Sequence, residues 1–107
     1  MSIVAKEIIA SAQLTNASAL QYTATNVRTI IDKFTLCNTT AGAVTATVYF
    51  GTASDGDTIL KAKSIAAGDT YTCPEIVGHV LNTGETLYAL ASANSSITIR
   101  ASGREIS

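Results

Sequence analysis

A seven-residue run near the middle of the chain most constrains its fold. In residues 44–50, apolar side chains alternate with threonine or tyrosine. Successive side chains of a β-strand point to opposite faces, so this period of two predicts a strand with one buried face. Similar short runs recur through residues 27–102, separated by turns rich in Gly, Asn or Asp and without a clear helical interval. We therefore predict an all-β fold, an antiparallel β-sandwich that is jelly-roll-like or Ig-like.

The alternating runs and turn signals together predict eight strands after residue 18. Asp55 and Gly56 form a pair typical of a tight hairpin turn, and residues 38–42 and 94–96 are predicted to close two further hairpins. The predicted strands are Leu20–Ala24, Val27–Asn38, Val44–Phe50, Thr58–Ile65, Thr70–Cys73, Val80–Leu81, Thr86–Ala93 and Ile97–Ser102. The core is predicted to include Ile30, Phe34, Leu36, Val44, Val48, Phe50, Leu60, Leu87, Ile97 and Ile99.

One acidic residue conflicts with the predicted core face. Asp32 lies on the same face of its strand as Ile30 and Phe34 if the strand is regular. Either a β-bulge shifts the register at this point or Asp32 pairs with a basic residue such as Arg100. We favour the bulge, because an extra residue moves the side chains that follow to the other face.

Residues 1–26 differ in sequence pattern from the rest of the chain. We interpret residues 1–18 as either an N-terminal arm or the first strand of the same sheet, ahead of a β-sandwich domain at residues 19–107. Since the later residues already supply enough strands for a sandwich, the apolar side chains of the segment need a partner. The candidate partner-contact residues are Ile3, Val4, Ile8 and Ile9.

The low content of charged residues and their distribution indicate which partners to expect: protein, nucleic acid or membrane. Charged residues make up 14% of the chain, against about 25% in an ordinary soluble domain. This predicts that other protein covers part of the surface, although threonine hydroxyls could also solvate a monomer. The seven basic residues are dispersed, so no nucleic-acid partner is expected. No run approaches the roughly 20 apolar residues of a membrane span, so no membrane partner is expected either.

The sequence offers no convincing catalytic, cofactor or metal site. His79 is the single histidine, and no motif supports it as a catalytic residue. Cys37 and Cys73 are interpreted as two buried free thiols, with a disulfide as the alternative. Gly and an acidic residue precede a Thr-led strand at residues 67–71 and again at 83–87, which we interpret as two similar turns rather than a paired acidic site. We expect no enzymatic activity.

Three segments carry a resemblance to a known class of protein. Residues 20–24 give a Leu-Tyr-Thr opening, residues 28–40 an Ile-rich strand ending in Asn-Thr, and residues 44–49 an alternating Val/Thr strand. Together with the two Gly-acidic turns and the Ala-Ser-Gly close, this pattern resembles a recurrent module of small tailed-bacteriophage virion proteins over about residues 19–106. Thr25 stands near where that pattern often has a proline.

The resemblance implies a virion structural protein, and within that class a capsid decoration or cement protein that bridges major capsid subunits. Its partners would be the major capsid protein or another virion protein, and it would form a homo-oligomer. It would be synthesised in the cytoplasm of the host bacterium and located on the capsid surface. The alternatives are a tail, neck or fibre-associated structural protein, which would share the fold, and a receptor- or glycan-binding module.

Overall fold

In a computed structural model, which describes residues 2–52 and 54–107, the chain forms two antiparallel β-sheets that enclose one hydrophobic core. The all-β antiparallel sandwich predicted from the alternating pattern is confirmed. A short 3-10 turn at Asp55–Asp57 lies between the fourth and fifth strands. The strands are β1 (Ile3–Gln13), β2 (Ala19–Thr23), β3 (Arg28–Asn38), β4 (Val44–Phe50), β5 (Thr58–Ile65), β6 (Thr70–Tyr71), β7 (Val80–Leu81), β8 (Thr86–Ala91) and β9 (Ile97–Ile106).

The two sheets divide the strands unequally. Sheet A has the order β1-β9-β3-β6, with β7 pairing with the other end of β3, and sheet B has the order β2-β8-β4-β5. The chain crosses between sheets at most of its turns. The predicted hairpin at Asp55 and Gly56 is confirmed, because β4 pairs with β5. The hairpins predicted at 38–42 and 94–96 are wrong: each segment joins strands of different sheets.

The side chain of Asn38 stabilises the crossing at residues 38–42 through hydrogen bonds in the interior of the molecule. Its side chain is fully buried, and its amide nitrogen donates to the carbonyl oxygens of Gly42 and Ile65, each at 2.8 Å. Its carbonyl oxygen accepts from the backbone N–H and the hydroxyl of Thr40. A buried amide with these four bonds is well satisfied and holds the end of β3 against the end of β5.

The bulge predicted at Asp32 is present, and it decides which isoleucine enters the core. The pairing of β3 with β9 shifts between Ile31 and Lys33. Ile31 is therefore buried, whereas Ile30 lies half-exposed on the outer face, so the prediction of Ile30 as core is wrong. Asp32 also has a basic partner: Arg104 donates two hydrogen bonds of 3.0 Å to its carboxylate.

Gly103 lies opposite this bulge, where the two backbones approach closely. A Cβ atom at Gly103 would stand 2.2 Å from the carbonyl oxygen of Ile30 and 3.3 Å from the Cα of Ile31. No side chain fits in that space. The bulge therefore requires glycine on the facing strand.

The other predicted core residues occupy the space between the sheets, with Phe50 partly buried at its margin. The predicted strand bounds differ from the structure at six ends. Three differ by one residue, because β2 is Ala19–Thr23 and β3 begins at Arg28, and three differ by more. β9 continues to Ile106, and β8 ends at Ala91. β6 ends at Tyr71, because Cys73 has a φ of 48° and leaves the extended region.

Candidate interaction surface

The four N-terminal candidate residues divide into two pairs. Residues 3–13 form β1, which pairs along its length with β9, so the segment is a strand of sheet A. Its register shifts twice, between Lys6 and Ile9 and again before Ala12. These irregularities let both Ile8 and Ile9 enter the core, where they are 7% and 4% exposed. Ile3 and Val4 remain at the surface, 57% and 51% exposed, and are the members of the set available to a partner.

A second candidate surface lies on the outer face of sheet B. Tyr49 of β4 pairs directly with Tyr88 of β8, and Tyr88 pairs in turn with Leu20 of β2. Directly opposed residues project from the same face of a sheet. In the next row Thr47 lies opposite Leu90. We call Leu20, Thr47, Tyr49, Tyr88 and Leu90 the tyrosine face.

Burial of the intervening residues confirms the orientation of this face. Ala46, Val48, Leu87, Ala89 and Ala91 alternate with the tyrosine-face residues and are fully buried. The two tyrosines and Leu90 are half-buried, and Leu20 is 52% exposed. Thr47 is buried, and its hydroxyl accepts a hydrogen bond from the N–H of Ala62 at 2.9 Å. The face therefore presents two neighbouring aromatic rings and two leucines without a charged side chain among them. Contiguous apolar surface of this kind is typical of interaction sites.

The outer face of sheet A has the opposite character. Arg104 pairs with Asp32, and Arg100 pairs with Glu7 across the β1–β9 ladder. Lys33 is also exposed on β3. Ionic groups that pair with each other along a sheet keep that face solvated. The tyrosine face thus differs from the outer face of sheet A because it has no charged side chain, and it is better suited to bind another protein.

Sequence reasoning missed the tyrosine face. The six aromatic residues of the chain are scattered, and no spacing in the sequence reveals that Tyr49 and Tyr88 lie opposite each other. Their alternation with buried residues does show that each points outward. What the sequence lacks is the pairing of β4 with β8, which are separated by four other strands or turns in the chain.

A buried polar cluster joins the two sheets at one end. The hydroxyl of Tyr22, on β2, donates to the Glu105 carboxylate at 2.5 Å and lies 2.6 Å from the Thr29 hydroxyl. Lys6 forms an ion pair of 3.3 Å with the same carboxylate. Burial and the bond to Glu105 raise the pKa of Tyr22 to about 12. The cluster fixes β2 of sheet B to β3, β9 and β1 of sheet A.

The two Gly-acidic turns make the same backbone contacts. Gly68 donates to the carbonyl of Asn38 at 3.0 Å, and Asn38 donates back to the carbonyl of Asp69 at 2.9 Å. Gly84 and Glu85 exchange the equivalent bonds with Ala24, at 2.7 and 3.0 Å. Both glycines have positive φ. Each turn seals the end of a strand, which supports the interpretation as two similar turns.

The remaining residues considered for chemistry lie apart from one another. His79 is exposed, and its ring meets that of Phe50 edge to face at 5.4 Å. Both cysteines are free; Cys73 is buried and Cys37 is half-buried. Burial raises the pKa of the Cys73 thiol to about 12, so the thiol is neutral at physiological pH. Asp57 accepts bonds from Thr52 and Ser54 within its own turn, and these lower the pKa of its carboxyl group.

Within residues 2–52 and 54–107 there is no enclosed pocket and no group of three His, Cys, Asp or Glu side chains placed to hold a metal ion. The same residues include no helix long and apolar enough to cross a membrane. Comparison with models of known protein families, with curated proteins and with solved structures gives no match.

Proposed function

We propose that this protein is a bacteriophage virion structural protein, most specifically a capsid decoration or cement protein that binds the major capsid protein through the tyrosine face. The observation that carries the proposal is the uncharged patch that β2, β4 and β8 form on the outer face of sheet B, where Tyr49 and Tyr88 lie side by side next to Leu20 and Leu90. The resemblance of residues 19–106 to small phage virion proteins supplies the class of partner.

The chemistry of the face favours a protein as its partner. Tyrosine is enriched at the centres of protein interfaces, where its ring buries a large area and its hydroxyl keeps a hydrogen-bond partner. Charged side chains are depleted there. A glycan-binding module would instead present carboxylates beside its rings in a cleft. The residues of β2, β4 and β8 on this face are uncharged, which supports the structural role over the glycan-binding one.

Binding to purified, tailless capsids tests the proposal. We expect the parent protein to cosediment with capsids and Tyr88→Glu to lose at least tenfold in affinity, because a carboxylate buried in an apolar interface is poorly solvated. Thr98→Glu is the matched control: Thr98 is also half-exposed and lies on β9 in sheet A. The melting temperatures of both variants should remain close to that of the parent.

Three results would each contradict a part of this proposal. If the protein binds isolated tails or necks and not capsids, the tail-associated alternative replaces it. If Tyr88→Glu and Thr98→Glu bind capsids equally well, the tyrosine face is not the attachment surface. A glycan array that reports sugar binding abolished by Tyr88→Glu would favour the receptor-binding alternative.

A further inference from the structure

We infer that the N-terminal half of β1 is a self-association site, at which the same strand of a second copy of this chain adds to sheet A in antiparallel register about a two-fold axis. The inference concerns contact between two copies in solution. It rests on the edge of sheet A and is independent of the proposed capsid role.

The pairing of β1 with β9 shows which backbone groups point away from the molecule. The N–H of Ser107 donates to the carbonyl of Ser2 at 3.0 Å, and Ile3 lies opposite Ile106. In an antiparallel ladder this makes Val4 a hydrogen-bonded partner of β9 and makes Ile3 and Ala5 non-hydrogen-bonded partners. The N–H and C=O groups of Ile3 and Ala5 therefore point to the free edge. Among the described residues, no strand pairs with that edge.

The other sheet edges carry features that discourage strand addition. β5 has exposed Lys61 and Lys63 and an irregularity at Ala62, where φ is 46°. β2 is five residues long with a register shift, and β6 and β7 have two residues each. Exposed lysines, bulges and short length are the usual protections of an edge strand. The first residues of β1 are extended, regular and apolar by comparison.

Charge does not oppose the approach of two β1 strands. Lys6 and Glu7 are the charged residues of β1, and each has an opposite partner on β9: Glu105 for Lys6 and Arg100 for Glu7. The edge is thus electrically balanced within each copy. A strand with balanced charge and exposed apolar side chains can pair with a second copy of itself without charge repulsion. An unrelated partner would need its own complementary charges and apolar side chains.

The free groups and the apolar side chains select one register. Ile3 and Ala5 must exchange hydrogen bonds with the second copy, which happens when Val4 of one copy lies opposite Val4 of the other. Ile3 then faces Ala5 of the second copy, and Ile106 adjoins Ile3 on the same outer face. A shift that centres the axis on Ala5 would place Lys6 against Val4 and Glu7 against Ile3. The first register keeps apolar groups together.

Such a contact is small. Only about five residues of each strand meet, so the buried area falls well below the roughly 1,200 Å² of a standard stable interface. We therefore expect a dimer that forms at high concentration and dissociates on dilution. Copies held close together on a common support would associate far more readily, because the effective concentration is then in the millimolar range.

Disulfide trapping tests the register. In a Cys37→Ser background, Val4→Cys would bring two cysteines to a non-hydrogen-bonded pair with a Cα separation of about 4.5 Å, which a disulfide can span. We expect rapid covalent dimerisation on mild oxidation. Val80→Cys is the control, because Val80 is 48% exposed against 51% for Val4 but lies on β7, at the opposite side of sheet A. Equal rates of cross-linking for the two variants would overturn the inference.

A backbone substitution tests the strand pairing itself. Ala5→Pro removes an N–H that points to the free edge and is not used by β9, so it should spare the fold and abolish the dimer. Sedimentation equilibrium over a range of protein concentrations provides the measurement. Monomeric parent protein at millimolar concentration, or an Ala5→Pro dimer as strong as that of the parent, would overturn the inference. If Ala5→Pro fails to fold, the Val4→Cys result decides.

Discussion

The space around Gly103 leaves no room for a side chain. The carbonyl oxygen of Ile30 occupies the place that a Cβ atom would need, and this oxygen belongs to backbone that the bulge at Asp32 holds in position. Relief would require β3 and β9 to separate at the centre of sheet A. The constraint is therefore steric and local, and it does not depend on the conformational freedom of glycine.

We expect Gly103→Ala to destabilise the protein by about 1–3 kcal/mol, the usual cost of overpacking, and to lower the melting temperature by several degrees. Gly42→Ala and Gly56→Ala are the controls, because a Cβ at either position meets nothing within 4 Å. Differential scanning calorimetry of the three variants provides the comparison. If Gly103→Ala melts with the controls, the bulge adjusts freely and this account of Gly103 is wrong.

For Asp32 the sequence predicted a bulge, but it did not predict which neighbouring isoleucine enters the core. An acidic residue on an apolar face signalled the irregularity, since a buried unpaired carboxylate is costly. Nothing in the sequence shows on which side of Asp32 the extra residue is accommodated, so Ile30 was assigned to the core in place of Ile31. The ion pair of Asp32 with Arg104 also depends on the β3–β9 register, which only the folded chain defines.

Among the elements, β2 depends on the cluster around Tyr22 for its attachment to sheet A. Burial of the Tyr22 hydroxyl, followed by the hydrogen bond that it donates to Glu105, raises the pKa of Tyr22 to about 12. The unfolded chain has a tyrosine pKa near 10. Below pH 10 both states are neutral and the contribution is complete; between pH 10 and 12 the unfolded state ionises first, so stability is lost as the pH rises.

We expect Tyr22→Phe to lower stability at neutral pH by about 1 kcal/mol, the net contribution of a typical hydrogen bond, and to flatten the decline between pH 10 and 12. Denaturant unfolding at several pH values measures both effects. Tyr49→Phe is the control, because Tyr49 is half-buried on the outer face of sheet B and takes no part in the cluster around Glu105; it should leave the alkaline decline unchanged. Parallel pH profiles for the parent and Tyr22→Phe would show that Tyr22 does not govern the alkaline transition.

Tyr49 and Tyr88 show that the sequence predicts a single strand better than the pairing of two strands. The sequence correctly placed β4 and gave the outward direction of Tyr49 from the alternation of side chains. It could not show that Tyr88 is the neighbour of Tyr49, because strands that pair across a sandwich need not be close in the chain. The bounds of β4 were predictable from local pattern, whereas the interaction surface required the strand order.

For the whole molecule, β1 belongs to the sandwich and is not an appendage to it. Ile8 and Ile9 lie in the core, Leu14 is 1% exposed, and β1 covers the edge of β9. The sequence left an arm and a first strand as alternatives, because the double shift of register that buries two successive isoleucines is not visible in a period-two pattern. Ile3 and Val4 are nevertheless exposed, so this part of the strand can still contact a partner, as the arm hypothesis proposed.

We expect deletion of residues 2–14 to prevent folding, because it removes three buried side chains and exposes the full length of β9. The double variant Ile3→Ser, Val4→Ser should fold with near-parental stability, since both side chains are more than half exposed. Circular dichroism and thermal melting distinguish the two. A truncated chain that melts cooperatively near the parental temperature would show that β1 is dispensable for the sandwich.

The pairing of β1 with β9 also determines when the fold can be completed. Ile3 pairs with Ile106, so β1 leaves the ribosome long before its neighbour β9 has been made. At about 5–20 residues per second this leaves β1 without its partner for several seconds or more. Ladders between distant parts of a chain also form slowly. During that interval the apolar strand is exposed among many nascent copies, so productive folding competes with mispairing. The yield of native protein should therefore fall when many copies are synthesised at the same time.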